Sequence, residues 1–179
     1  MFKLISSILI ITLTVCMSLS ADRPLQLSFT PEIALHDRTE TITGLTLGIW
    51  GENPQAALAI GVIQGSTGRS GGVSWAFILN YAEDYTGVQW APANYTSGDF
   101  LGWQAGFANY AGGSMTGLQT GTLNFAGRMA GVQVGFLNYA AIVDSGLQIG
   151  LINLMLQNEW FTRLPNELAP AMVFVNWRL

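Results

Sequence analysis

Lysine, histidine and cysteine each occur once in these 179 residues, as Lys3, His36 and Cys16. Charge of either sign is scarce: 10% of the chain is charged, against the ~25% usual in a soluble domain. Seven basic residues face eleven acidic ones, for a net charge of −4. Without a basic stripe, nucleic acid is excluded as a partner. A single cysteine cannot form an internal disulfide. The histidine stands between Leu35 and Asp37 in a polar stretch, with no second ligand at metal spacing and no serine in a nucleophile-elbow setting. The adjacent acids Glu83 and Asp84 lie in a turn, whereas hydrolysis by two carboxylates needs a cleft that raises the pKa of one of them. The glycine-rich run from Gly65 to Gly72 lacks the Lys-Ser/Thr pair of a phosphate loop. These absences point to a non-enzymatic protein with no cofactor and no metal.

The N-terminus carries an export signal. Lys3 precedes an apolar stretch from Leu4 to Met17, and small residues follow at Ser18 and Ser20. Residues 1–20 therefore read as a signal peptide, cleaved before Ala21, with residues 21–179 forming one domain. The run Leu13-Thr14-Val15-Cys16 resembles a lipoprotein box, but Val15 occupies the position where that pattern has a small residue. Cleavage at Ser20 leaves no cysteine in the mature chain. Export places the protein in the outer membrane or at the cell surface, or alternatively in the periplasm or medium.

What the chain does contain is glycine, 21 residues of it, and an internal repeat. Five segments share Gly, Gln and Asn in phase: Gly87, Gln89 and Asn94; Gly102, Gln104 and Asn109; Gly117, Gln119 and Asn124; Gly131, Gln133 and Asn138; Gly146, Gln148 and Asn153. Their starting glycines lie 15, 15, 14 and 15 residues apart. Weaker copies begin at Gly44, Ala57 and Gly72, the last with one extra residue before Asn80, as a bulge requires. The repeats thus run from about 44 to 155, with atypical units at the end. Each unit reads as one strand and a turn. In Gly131–Tyr139, Val132, Val134 and Phe136 alternate with Gln133, Gly135 and Leu137, the period of a pleated strand. Further strands are expected over 25–35 and 170–179, joined to the repeats at the C-terminal side by a surface loop or short helical turn over 154–169.

Two all-β architectures accommodate this pattern. About ten strands of a length able to cross a bilayer, in a chain poor in charge, favour a small up-and-down β-barrel in the outer membrane. The alternative is a β-solenoid in which each unit forms one coil and the Asn and Gln side chains stack as ladders. The G-h-Q-x-G-x-x-N unit, where h is apolar, is similar at its Q-x-G-x-x-N core to the repeats of curlin. It resembles more broadly a family of bacterial surface-repeat proteins with GLQIGLIN-type units. That resemblance implies an envelope or surface location and carries no functional residue. The repeat positions are read as structural. The aromatics Trp90, Trp103, Phe107, Tyr110 and Tyr139 face core or lipid in the first architecture and offer a partner-binding face in the second. A protein or glycan partner is left open.

Overall fold

The computed structural model describes residues 23–179. The expected signal peptide, the Ser20 cleavage site and Cys16 lie outside these residues. Among the described residues eight strands succeed one another with no helix: β1 (Arg23–Ser28), β2 (Ile42–Glu52), β3 (Leu58–Trp90), β4 (Ala93–Thr96), β5 (Phe100–Ala105), β6 (Ala108–Thr120), β7 (Leu123–Met155) and β8 (Ala171–Arg178).

Pairing decides between the two architectures. β5 runs parallel to β6 with Gly102 beside Gly117 and Gln104 beside Gln119, and β6 runs parallel to β7 with Gln119 beside Gln133. Each repeat therefore lies on the next in the same direction and the same phase. The result is a β-solenoid of about seven turns. The expected up-and-down barrel of about ten strands is overturned, because neighbours in such a barrel are antiparallel. The reading of each unit as a single strand fails with it. The chain bends at the second glycine of the unit, so β5 ends at Ala105 and β6 begins at Ala108. One coil thus consists of a first arm (Leu101–Ala105), a second arm (Ala108–Ala111) and a short connection. Alternation holds along the first arm, where Gln133 is buried between Val132 and Val134. It then resets at Gly135, so that Phe136, Leu137 and Tyr139 face outward around buried Asn138.

Polar side chains fill one half of the interior. Gln104, Gln119, Gln133 and Gln148 each donate from Nε2 to the Oε1 of the glutamine one coil earlier, at 2.9, 2.7, 2.7 and 2.7 Å. The asparagines form a second ladder of opposite sense: Asn80, Asn94, Asn109, Asn124 and Asn138 donate from Nδ2 to the next coil's Oδ1 at 2.8–2.9 Å. Backbone carbonyls fix the orientation of these amides. Nε2 of Gln133 also donates to Tyr139 O, and Nδ2 of Asn124 also donates to Val134 O, and a carbonyl oxygen can only accept. All these rungs are buried, which is affordable because an amide that both donates and accepts has no unmet demand; Gln148, the last of its ladder, is the exception, its Oε1 accepting from nothing. The other half of the interior is apolar, with Ala111, Ala126 and Ala140 beside a column running from Tyr85 through Phe100 and Met115 to Met129.

Glycine is required where coils touch. Gly102 and Gly117 have φ of +135° and +119°, and a Cβ on Gly117 would lie 2.2 Å from the carbonyl oxygen of Gly102. Only glycine combines that backbone with that approach. The extra residue before Asn80 is absorbed at the bend. Asn80 keeps register with Asn94, while Phe77 and Ile78 bulge outward.

Both ends of the stack are closed. The expected strand over 25–35 is β1 alone. After it the chain folds back, Leu35 N donating to Leu27 O and His36 N to Gln26 Oε1. At the other end β8 pairs antiparallel with the last coil, placing Asn176 beside Gln148. The preceding loop is a series of turns, tied down by Asn158 Nδ2 donating to Trp177 O at 3.1 Å.

The ladders make a quantitative prediction. Asn124→Leu deprives Asn138 Oδ1 and Val134 O of a donor and Asn109 Nδ2 of an acceptor. Urea unfolding should show a loss of about 3 kcal/mol, from buried groups left unpaired. Thr122→Val, outside the ladders on the same coil, should stay within ~0.5 kcal/mol. Equal effects would contradict this account of the interior.

Candidate interaction surface

The fifteen repeat residues expected from the sequence lie within the stack and form no outer site. The Gln and Asn rungs from Gln89 to Asn153 are at most 2% exposed. The repeat glycines Gly87, Gly102, Gly117, Gly131 and Gly146 sit against the glycine of the coil before. The Gln and Asn side chains therefore hold the fold and reach no partner, while the glycines let the coils approach.

The arms present the opposite chemistry to the outside. On the first arm, parallel register stacks Val88, Trp103, Leu118 and Val132 in one column. Beside it Trp90 lies 6.3 Å from Trp75, and the column continues through Ala105 and Thr120 to Val134. Trp103 Nε1 donates to Thr120 Oγ1 at 2.8 Å, so two polar groups within this face satisfy each other. On the second arm, the residue after each ladder asparagine builds an aromatic column: Tyr81, Tyr95, Tyr110 and Phe125, followed by Tyr139. Tyr95 and Tyr110 stack at 5.1 Å and 6°. The edge where the arms meet carries Phe77, Pro92, Phe107, Thr122 and Phe136. Trp75, Phe77, Trp90, Pro92 and Phe107 line an open cleft of about 500 Å³ on that edge.

The connections between coils carry the charge. Glu83 Oε2 accepts from Gly68 N, Asp84 Oδ1 from Asp99 N, and Asp99 Oδ1 from Ser114 N, at 2.7–2.8 Å. These carboxylates cap the turn amides of a neighbouring coil, which is the role of the Glu83-Asp84 pair. Arg128 pairs with Asp144 at 2.6 Å. His36 Nδ1 lies 3.3 Å from Glu40 Oε2, in the N-terminal cap. Among the described residues no three His, Cys, Asp or Glu side chains gather into a metal-binding group.

Trp90, Trp103, Phe107, Tyr110 and Tyr139, the aromatics expected on a face, all project outward from the arms. Trp75, Phe77, Tyr95 and Phe136, not among those expected, join them. The signal for Tyr95 was present, since an aromatic follows the ladder asparagine in five consecutive units, at Tyr81, Tyr95, Tyr110, Phe125 and Tyr139. Phe77 belongs to the unit with the inserted residue, where counting loses phase.

No family model, no curated protein and no solved structure matches the chain.

Tyr81 begins the aromatic column and ties it to the N-terminal coils. Its hydroxyl accepts from Trp50 Nε1 at 2.9 Å and donates to Glu52, which also pairs with Arg38. Burial first, and then the bond to Glu52, push its pKa up to about 12. A raised folded-state pKa stabilises the fold fully below the unfolded value of ~10 and loses that contribution as pH rises through the folded one. The urea midpoint should therefore fall between about pH 10 and 12, and Tyr81→Phe should flatten that fall. Burial raises Tyr85 as well, so part of the slope should remain. An unchanged slope in the variant would separate Tyr81 from alkaline unfolding.

Proposed function

We propose that this chain is a non-enzymatic, exported protein of the cell envelope, a β-solenoid binding module that works through its aromatic-lined arms. One observation carries the reading: polarity is inverted. Amides fill the interior at Gln104, Asn109, Gln119 and Asn124, while Trp90, Phe107, Tyr110 and Phe136 stand 43–62% exposed. Each arm covers about 500 Å², from ~5 residues at ~3.3 Å by about seven coils at ~4.8 Å. Two adjoining arms then approach 1,000 Å², above the ~300–600 Å² of the largest apolar patch on a typical monomer. An uncovered surface of this size favours association with something apolar. The acids of the connections are engaged with turn amides, and the lone histidine with the cap. Catalysis therefore finds no assembled group of acid, base or nucleophile among the described residues.

The outer membrane or cell surface is the location this reading favours, reached by export and held by the arms rather than by spanning strands. Carbonate washing of the envelope fraction tests it. The full chain should be retained, and Cys16→Ser should be retained equally, which excludes a lipid anchor as the cause. Trp90→Ser combined with Phe107→Ser should be released while keeping the parent's urea midpoint, because neither residue belongs to the ladders. Retention that ignores the arm variant, or release of the parent itself, would refute binding through this face.

A further inference from the structure

The geometry points to a lipid bilayer surface as the partner, entered edge-first by the apolar ridge where the two arms meet. This inference rests on the binding-module reading and names its partner. Along the coils, large apolar side chains stand out on and beside that ridge: Phe77 at 76%, Trp90 at 62%, Phe107 at 61% and Phe136 at 52%, while others as exposed, such as Phe29, Ile33 and Trp160, lie in the end segments. The ridge is convex in cross-section, because the backbone turns there at Gly106, Gly121 and Gly135, each pressed against the coil before, and along its length the cleft between Trp90 and Phe107 indents it. A flat, rigid partner meets a convex ridge along a line or covers one arm and leaves the other exposed. One arm offers about 500 Å², short of the ~800 Å² per partner of a standard protein interface. Fluid hydrocarbon closes around both arms at once.

Three further features suit a bilayer. First, the strands hydrogen-bond along the stack, coil to coil, so the arms present paired backbone to the outside. Lipid demands this, since an unpaired N–H or C=O in hydrocarbon costs several kcal/mol. Second, no charged residue occurs between Phe100 and Gly127 or between Met129 and Val143. The charges that interrupt these stretches, Asp99, Arg128 and Asp144, lie on the connections, away from the ridge. Third, the tyrosine column runs parallel to the ridge on the second arm, where its hydroxyls can remain at headgroup level while the rings contact acyl chains. Immersion by ~5–10 Å, as for an amphipathic surface helix, covers the ridge and leaves the charged connections in water. Six arginines and no lysine in residues 23–179 supply no basic patch for anionic headgroups. Attachment is by hydrocarbon burial, and a neutral lipid should suffice.

The test is flotation of the full exported chain with phosphatidylcholine vesicles whose acyl chains are brominated, read together with tryptophan emission. The chain should float, added salt should not release it, and bromine should quench its emission. Trp90→Phe should lose part of that quenching, and Phe107→Ser with Phe136→Ser should weaken partitioning about tenfold per side chain. A chain that floats with unquenched tryptophan is held by its N-terminus, and that result would overturn the lipid proposal. Self-association that depends on Phe107 and Phe136, without vesicle binding, would also overturn it, naming a second copy as the occupant and leaving the binding-module reading intact. Neither vesicle binding nor self-association would overturn both.

Discussion

The whole structure depends on side-chain amides bonding to their own kind one coil away. A buried amide left without partners costs more than its burial returns. An amide whose identical copy lies one strand spacing above and below finds a donor and an acceptor without further help. That condition sets the coil length, the parallel direction and the register together. A slip of one residue would place Gln119 against Trp103 or Ala105, and every rung would be lost. The 14-residue step between Gly117 and Gly131 is accommodated away from the ladders, in the connection, where pairing shifts between Ala111 and Ser114. The two ladders also run in opposite senses, glutamines donating back along the stack and asprangines forward, so their amide dipoles oppose.

A polar interior frees the exterior from the usual rule. In a domain held by an apolar core, large apolar residues are consumed inside and the surface is left to polar ones. Here the fold is specified by amides on one side and by small residues and methionines on the other. Apart from the interior pair Tyr85 and Phe100, tryptophan, phenylalanine and tyrosine are thereby displaced outward in columns that repeat with the coil. The surface chemistry is a consequence of how the interior is satisfied, and for that reason the ladder residues and the surface residues alternate along each arm.

A ladder of this kind has no internal reason to stop, and the ends must be blocked. At the last rung Gln148 Oε1 is buried without a partner, since no further glutamine donates to it. β8 covers that end in the antiparallel direction with Asn176 over Gln148, so the parallel register is not offered to another copy. The fold-back after β1 does the same at the other end, using Gln26 against His36 and Asn53. These devices keep a parallel repeat stack from presenting open edges.

The sequence by itself determined the all-β class, the phase of the repeat and the identity of the ladder residues, because Gly, Gln and Asn recur at fixed spacing for local reasons of backbone and hydrogen bonding. It also determined the poverty of catalytic groups, which is a matter of composition. It did not decide between barrel and solenoid. An outward Val and an inward Gln alternate in the same way along a strand whether its neighbour is parallel or antiparallel, and the choice lies in contacts some fifteen residues apart. The bend at Gly106 and Gly135 was equally hidden, since a glycine within an alternating run also reads as part of a strand. Tertiary structure alone placed Phe77, Trp90, Phe107 and Phe136 along one edge, because a column exists only once the coils are stacked.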